Sequence, residues 1–117
     1  MKATEFPAES DRIDFLLARL REMRETRGWS AAHDPRSLAV SLSVEVGELL
    51  EHYQWGEVTA ADRRARPDAF RAMSEELADV VIFACHLADS VDLDLLDAVH
   101  RKIDANQERF PRFGVAA

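Results

Sequence analysis

Residues that punctuate or cross-link a fold are scarce in this chain: 117 residues include four glycines, four prolines and one cysteine. A lone cysteine excludes an internal disulfide framework. Cys85 sits in the apolar run Val80-Val81-Ile82-Phe83-Ala84-Cys85, so it reads as a small buried core residue rather than a reactive thiol. Long hydrophobic runs are missing too, since nothing approaches the roughly 18 uninterrupted apolar residues of a membrane span. The opening segment Met1-Lys2-Ala3-Thr4-Glu5-Phe6-Pro7 has no apolar core of the kind a secretory leader needs. A cytoplasmic protein with no membrane partner is expected. Basic residues are outnumbered 15 to 22, for a formal charge of −7, and form no stripe that would neutralise a phosphate backbone, so nucleic acid is not an expected partner. A small phosphorylated ligand is still compatible, because a cation held by carboxylates presents positive charge locally.

Hairpin signals of the Asn-Gly or Asp-Gly type between alternating apolar residues are absent, whereas helical periodicity runs through most of the chain. The expected fold is all-α, a four-helix bundle-like single domain over residues 1–117, with 47 % hydrophobic residues to fill its core. Helix one is expected from Ser10 or Asp11 to a stop at Gly28, with Ile13, Leu16, Leu17, Leu20 and Met23 on one stripe. Helix two opens with Asp34 as N-cap and Pro35 in first position, and carries Leu38, Leu42, Val46, Leu49 and Tyr53 to a stop at Gly56. A polar, basic connection with one short helical turn spans Glu57 to Pro67. Helix three runs from Pro67 to Val91 and is apolar on more than one face, which implies a surface buried against another subunit. Helix four begins near Asp92 or Asp94 and ends at Pro111.

Against this apolar background the acidic residues stand out. Glu45-Val-Gly-Glu48 and Glu76-Leu-Ala-Asp79 each place two carboxylates at i, i+3 on one helix face. Glutamates at helical spacing ordinarily mark a solvated face with lysine or arginine one turn away. Here the positions three and four residues beyond each carboxylate hold neither, and apolar residues flank them. An unpaired buried carboxylate costs several kcal/mol or more, so Asp79 needs compensation. Four converging carboxylates form a hard, all-oxygen site, suited to Mg2+ with Mn2+ as substitute. A di-iron carboxylate bundle is the rival. It wants paired Glu-x-x-His motifs, for which the chain offers only Asp97-x-x-His100 and the reversed His86-x-x-Asp89. A non-catalytic helical interaction protein that turns its acidic face to a basic partner is the other alternative. Gly47, costly in a helix, is expected to serve close packing or room for a ligand.

Several segments together resemble one known family, the MazG-like nucleoside triphosphate pyrophosphohydrolases, most closely their small dCTP pyrophosphatase branch. They are Arg27-Gly28-Trp29, His33-Asp34-Pro35-Arg36-Ser37-Leu38, Glu45-Val-Gly-Glu48-Leu with Tyr53-Gln54-Trp55, Glu75-Glu76-Leu-Ala-Asp79-Val, and Lys102-Ile-Asp-Ala-Asn106 with Arg109-Phe110-Pro111. The resemblance implies magnesium-dependent hydrolysis of a nucleoside triphosphate between its α and β phosphates. It implies Glu45, Glu48, Glu76 and Asp79 as metal ligands; Glu45 or Glu48 is the expected base. Trp29, His33, Trp55 and Phe83 fall at nucleotide-contacting positions, and Lys102 and Asn106 at phosphate-contacting positions or at the neighbouring site. Each has a plainer alternative: the tryptophans and Phe83 as core anchors, Lys102 as a solvated residue, His33 as support for a helix start. Ser37, Leu20 and Ser90 depart from the pattern of the dCTP-specific relatives and argue for an altered pocket. The leading substrate is dCTP or a modified cytosine nucleotide, and a homotetramer or homodimer is the implied assembly.

Overall fold

The computed structural model describes residues 12–31, 33–56 and 59–110. Among them there are helices and no strands: α1 (Arg12–Thr26), a single 3-10 turn (Trp29–Ala31), α2 (Pro35–Glu51), α3 (Ala60–Arg64), α4 (Pro67–Ser90) and α5 (Leu95–Arg109). Four long helices and one short turn of helix match the expected all-α class. The expected start of the first helix and Pro111 lie outside the described residues. No described helix is long and apolar enough to cross a membrane.

Local chemistry sets the helix ends. Asp34 is extended (φ −78°, ψ 155°) and its carboxylate accepts from the Ser37 backbone N–H at 2.9 Å and the Ser37 hydroxyl at 2.7 Å, with Pro35 pre-set in the first turn. Asp94 caps α5 in the same way, accepting from the Asp97 N–H at 3.0 Å. Gly28, at φ +69°, ends α1 in the left-handed region that a residue without Cβ adopts freely. The end of α4 is built differently: Asp92 is left-handed (φ 56°), its N–H bonds to the Asp89 carbonyl, and the Leu93 N–H bonds to the Ala88 carbonyl at 2.9 Å. These are the two bonds of a Schellman cap, with aspartate where glycine is usual.

α2 ends at Glu51, five residues short of the expected stop at Gly56. The reason is Arg63 of α3, which is 3 % exposed. Its guanidinium donates to the His52 carbonyl and to the Ala69 carbonyl, and lies 4.7 Å from the Tyr53 ring centroid. A cation bound to the carbonyl end of a helix satisfies a group that further helix would otherwise take. The same side chain ties the end of α2 to the start of α4.

α2 and α4 form the principal helix pair, with α1 and α3 packed on α4. Leu38 is the most buried large side chain, at 1 % exposed, and Leu20, Cys85 and Ala88 are buried near it in class. The inner face of α2 includes Ser41, Leu42, Glu45, Glu48 and Leu49, so the acidic stripe itself turns towards the protein interior. Val46, expected on the apolar stripe, is exposed, as are Val40, Val44 and Leu50. On α4, Phe70, Leu77 and Val81 face outward. The first turn of α5 lies across a cleft from Leu17, Arg21, Cys85 and Asp89, and every residue from Val99 to Phe110 is exposed.

Candidate active site

The α2–α4 pairing brings both acidic motifs to one place. Carboxylate oxygens of Glu45, Glu76 and Asp79 lie within 4.8 Å of one another. Glu48 lies beside this cluster, close enough to act on the carboxyls of Glu45 and Glu76. None of the ion pairs among the described residues involves these four. Burial, reinforced by the contacts with Glu48 and Glu76 and by the charges of Glu48 and Asp79, pushes the Glu45 carboxyl up to about 7. Burial and Glu48 raise Glu76 as well. Like charges gathered without a cation must share protons.

Two oxygens, Glu45 Oε2 and Glu76 Oε2, are buried with no hydrogen-bond partner. An orphaned carboxylate oxygen is a costly group, and two of them aimed into one all-oxygen cluster fit a hard divalent cation. The donor set contains no histidine. His100 is exposed on α5, Asp97 pairs with Arg101 at 3.0 Å, and Asp89 is taken by Arg21 at 3.0 Å and by Arg24. The residues the di-iron alternative would need are therefore apart or engaged elsewhere.

Asp79 also lines a neighbouring cleft of about 490 Å³ with Met23, Trp29, His33, Ser41, Ile82, Phe83 and His86. Carboxylate cluster and aromatic cleft thus share a wall. Of the residues expected to contact a nucleotide, Trp29, His33 and Phe83 meet here. Trp29 stands on the 3-10 turn after Gly28, and the His33 N–H bonds to the Trp29 carbonyl at 3.0 Å. Trp55 lies past the end of α2 and is 83 % exposed. Lys102 and Asn106 are exposed on the outlying part of α5. These three are not brought to the cleft within the single chain.

Residues 40–113 match the MazG-like family. The chain belongs to that family. The matched span contains Glu45, Glu48, Glu76 and Asp79 as well as Lys102 and Asn106. The chain is 42 % identical over 91 residues to dCTP pyrophosphatase 1 of Mus musculus and 41 % identical over 93 residues to dCTP pyrophosphatase 1 of Homo sapiens. Each match covers 77 % of this chain and 54 % of the relative, so the chain spans about half the length of the curated relatives it matches. Among solved structures, a pyrophosphatase from Archaeoglobus fulgidus superposes with a TM-score of 0.76 at 35 % identity, covering 95 % of this chain and all of that one.

Sequence reasoning weighed His86 only as half of a metal motif and passed over Arg24. His86 lies seven residues after Asp79 and three after Phe83, a spacing that puts all three on one face of α4. Arg24, one turn beyond Leu20, is largely buried and bonded to Asp89. Its only sequence signal was a charged position beside the apolar stripe of helix one.

Proposed function

We propose that this chain hydrolyses nucleoside triphosphates to the monophosphate and pyrophosphate with the help of Mg2+, dCTP or a modified cytosine nucleotide being its leading substrate. The observation that carries the reading is the wall shared through Asp79 by an all-carboxylate cluster and an aromatic cleft. A triphosphate needs a cation at its phosphates and an apolar slot for its base, one beside the other. Family membership and the dCTP pyrophosphatase and pyrophosphatase names of the relatives support the same reading.

In this reading Glu45, Glu48, Glu76 and Asp79 hold the magnesium, which when bound neutralises triphosphate charge. Water adds at phosphorus, the α–β bridging P–O bond breaks, and pyrophosphate leaves with the electron pair. The proton lost by the water passes to Glu45 or Glu48. A bound cation would favour the ionised form of these carboxylates, the form that accepts a proton. Trp29 and Phe83 flank the base, and His33 lies on the same cleft.

The whole chain acts as one domain in this account, and it acts as an oligomer. Large apolar residues are exposed on α2 (Val40, Val44, Leu50), α4 (Phe70, Leu77, Val81) and α5 (Val99, Ile103). A dimer or tetramer covers them and allows Lys102, Asn106 and Trp55 to serve the cleft of a second copy.

The test is pyrophosphate release from the four standard deoxynucleoside triphosphates and modified cytosine nucleotides, with and without Mg2+. Wild type is compared with Glu48→Ala and Asp79→Ala. Magnesium-dependent release that is lost in both variants is expected. No release from any triphosphate by the wild type, with all proteins folded, would refute the enzyme reading and favour an interaction protein.

A further inference from the structure

The cleft beside the carboxylate cluster is assembled from two bodies. Asp79, Ile82, Phe83 and His86 belong to α4 and Ser41 to α2, the pair that also carries the cluster, whereas Met23, Trp29 and His33 come from α1 and the segment after it. The width of the cleft therefore depends on how α1 is held against α4. Outside the cleft, Asp89 of α4 binds two arginines of α1 at once: Arg21 Nε donates to one carboxylate oxygen at 3.0 Å and the Arg24 guanidinium to the other. Arg21 and Arg24 stand at i, i+3, so a single carboxylate of α4 grips successive turns of α1.

This tie is costly for the fold. The Arg24 side chain is 11 % exposed, its Nε is buried without a hydrogen-bond partner, and two guanidiniums on one carboxylate leave a surplus of positive charge. Apolar side chains of similar volume often serve stability as well as a buried ion pair, or better. What the pair adds is register, because a slip of α1 along α4 breaks both bonds together. We infer that Arg24 and Asp89 are positioning residues, whose ion pair fixes the α1-borne wall of the cleft against α4 and so sets how tightly the cleft holds its ligand. The ligand in that statement rests on the nucleotide reading above; the hold on the wall does not.

Ring contacts carry the tie to the wall. His86 precedes Asp89 by three residues on the same face of α4 and is 3 % exposed. Its ring lies 5.0 Å from that of His33 by centroids, and His33 lies 5.9 Å from Trp29. Burial first and then the Arg24 charge lower the His33 pKa; at His86 burial, His33 and Arg24 act in that order. The guanidinium therefore stands within electrostatic reach of both rings. Two uncharged imidazoles at this contact do not repel one another, so the charge of Arg24 supports the wall that its bond to Asp89 holds.

The experiment compares wild type with Arg24→Met, Arg24→Lys and the double variant Arg24→Met with Asp89→Leu. It reads KM and kcat for dCTP with Mg2+, Mg2+ affinity by calorimetric titration, and acrylamide quenching of Trp29 fluorescence with Trp55→Phe added to every protein. KM is expected to rise about tenfold in Arg24→Met and in the double variant, because Trp29 and His33, no longer held in place, must be ordered by the ligand. Trp29 should be quenched more readily in the same proteins, Arg24→Lys should recover part of both effects, and kcat and Mg2+ affinity should stay at wild-type values. The double variant removes both charges together and is expected to melt near wild type, so it carries the comparison if Arg24→Met does not fold. Wild-type KM and quenching in the folded double variant would overturn the inference. So would a parallel loss of kcat, Mg2+ affinity and melting temperature, which would make the pair part of general stability. A wild type that hydrolyses no triphosphate overturns the nucleotide reading, and the quenching comparison then decides the hold on the wall by itself.

Discussion

In the proposed magnesium site, protons would compete with the metal for the same carboxylates, and the competition has a calculable size. Glu45 is raised from 4.5 to about 7, first by burial and then by its acidic neighbours. Metal binding requires the ionised form. Near pH 6 about one Glu45 in eleven is ionised and near pH 8 about ten in eleven, so magnesium affinity should be about tenfold weaker at pH 6. For the metal-free protein the sign is opposite. The folded state holds this proton more tightly than the unfolded chain does. Its contribution to stability is therefore complete below pH 4.5 and lost as pH rises through about 7. Calorimetric titration of Mg2+ at pH 6 and pH 8 measures the first effect, and melting in chelator from pH 4.5 to 8 the second. Glu45→Gln serves as the control, because it cannot titrate: its magnesium affinity, though weaker, should vary far less between the two pH values. Equal affinity of the wild type at pH 6 and pH 8, or a Glu45→Gln protein with the wild-type pH dependence, would refute the reasoning.

Three further outcomes follow from packing and capping. Leu38→Ala removes the most buried large side chain and should cost about 2–5 kcal/mol in urea unfolding; a cost below 1 kcal/mol would mean that the α2–α4 seam closes over the gap. Asp34→Ala loses two hydrogen bonds at the start of α2 and should cost about 1 kcal/mol by the same measurement. Gly47→Ala should add about 1 kcal/mol, since a Cβ there meets nothing within 4 Å of the glycine in this chain. Destabilisation of the assembled protein by Gly47→Ala, with a shift to smaller species in sedimentation, would instead place a second chain against that face of α2.

Helix caps and acidic motifs were legible in the sequence because each depends on residues within one or two turns. Asp34 with Pro35 fixes the start of α2, Gly28 the end of α1, and the i, i+3 spacing alone puts each acidic pair on one face. The early end of α2 was not legible, since it depends on Arg63 reaching the His52 carbonyl across eleven residues. The Schellman cap at Asp92 was hidden for another reason: the usual marker is glycine, and this chain uses an aspartate that accepts the left-handed conformation. Val46 misled because a stripe drawn through apolar residues ignores that the acidic residues claim the interior face. His86 was seen only as half of a metal motif, and its place beside His33 requires α4 and the segment after α1 to meet. Gly47 resists local explanation even with the fold in hand: the expected tight packing is missing within the chain, although the residue taxes the helix that carries Glu45 and Glu48. The outward apolar residues of α2, α4 and α5 raise the same difficulty many times over. The proposed second copy would cover that surface, and it would also offer Lys102 and Asn106 a site to serve.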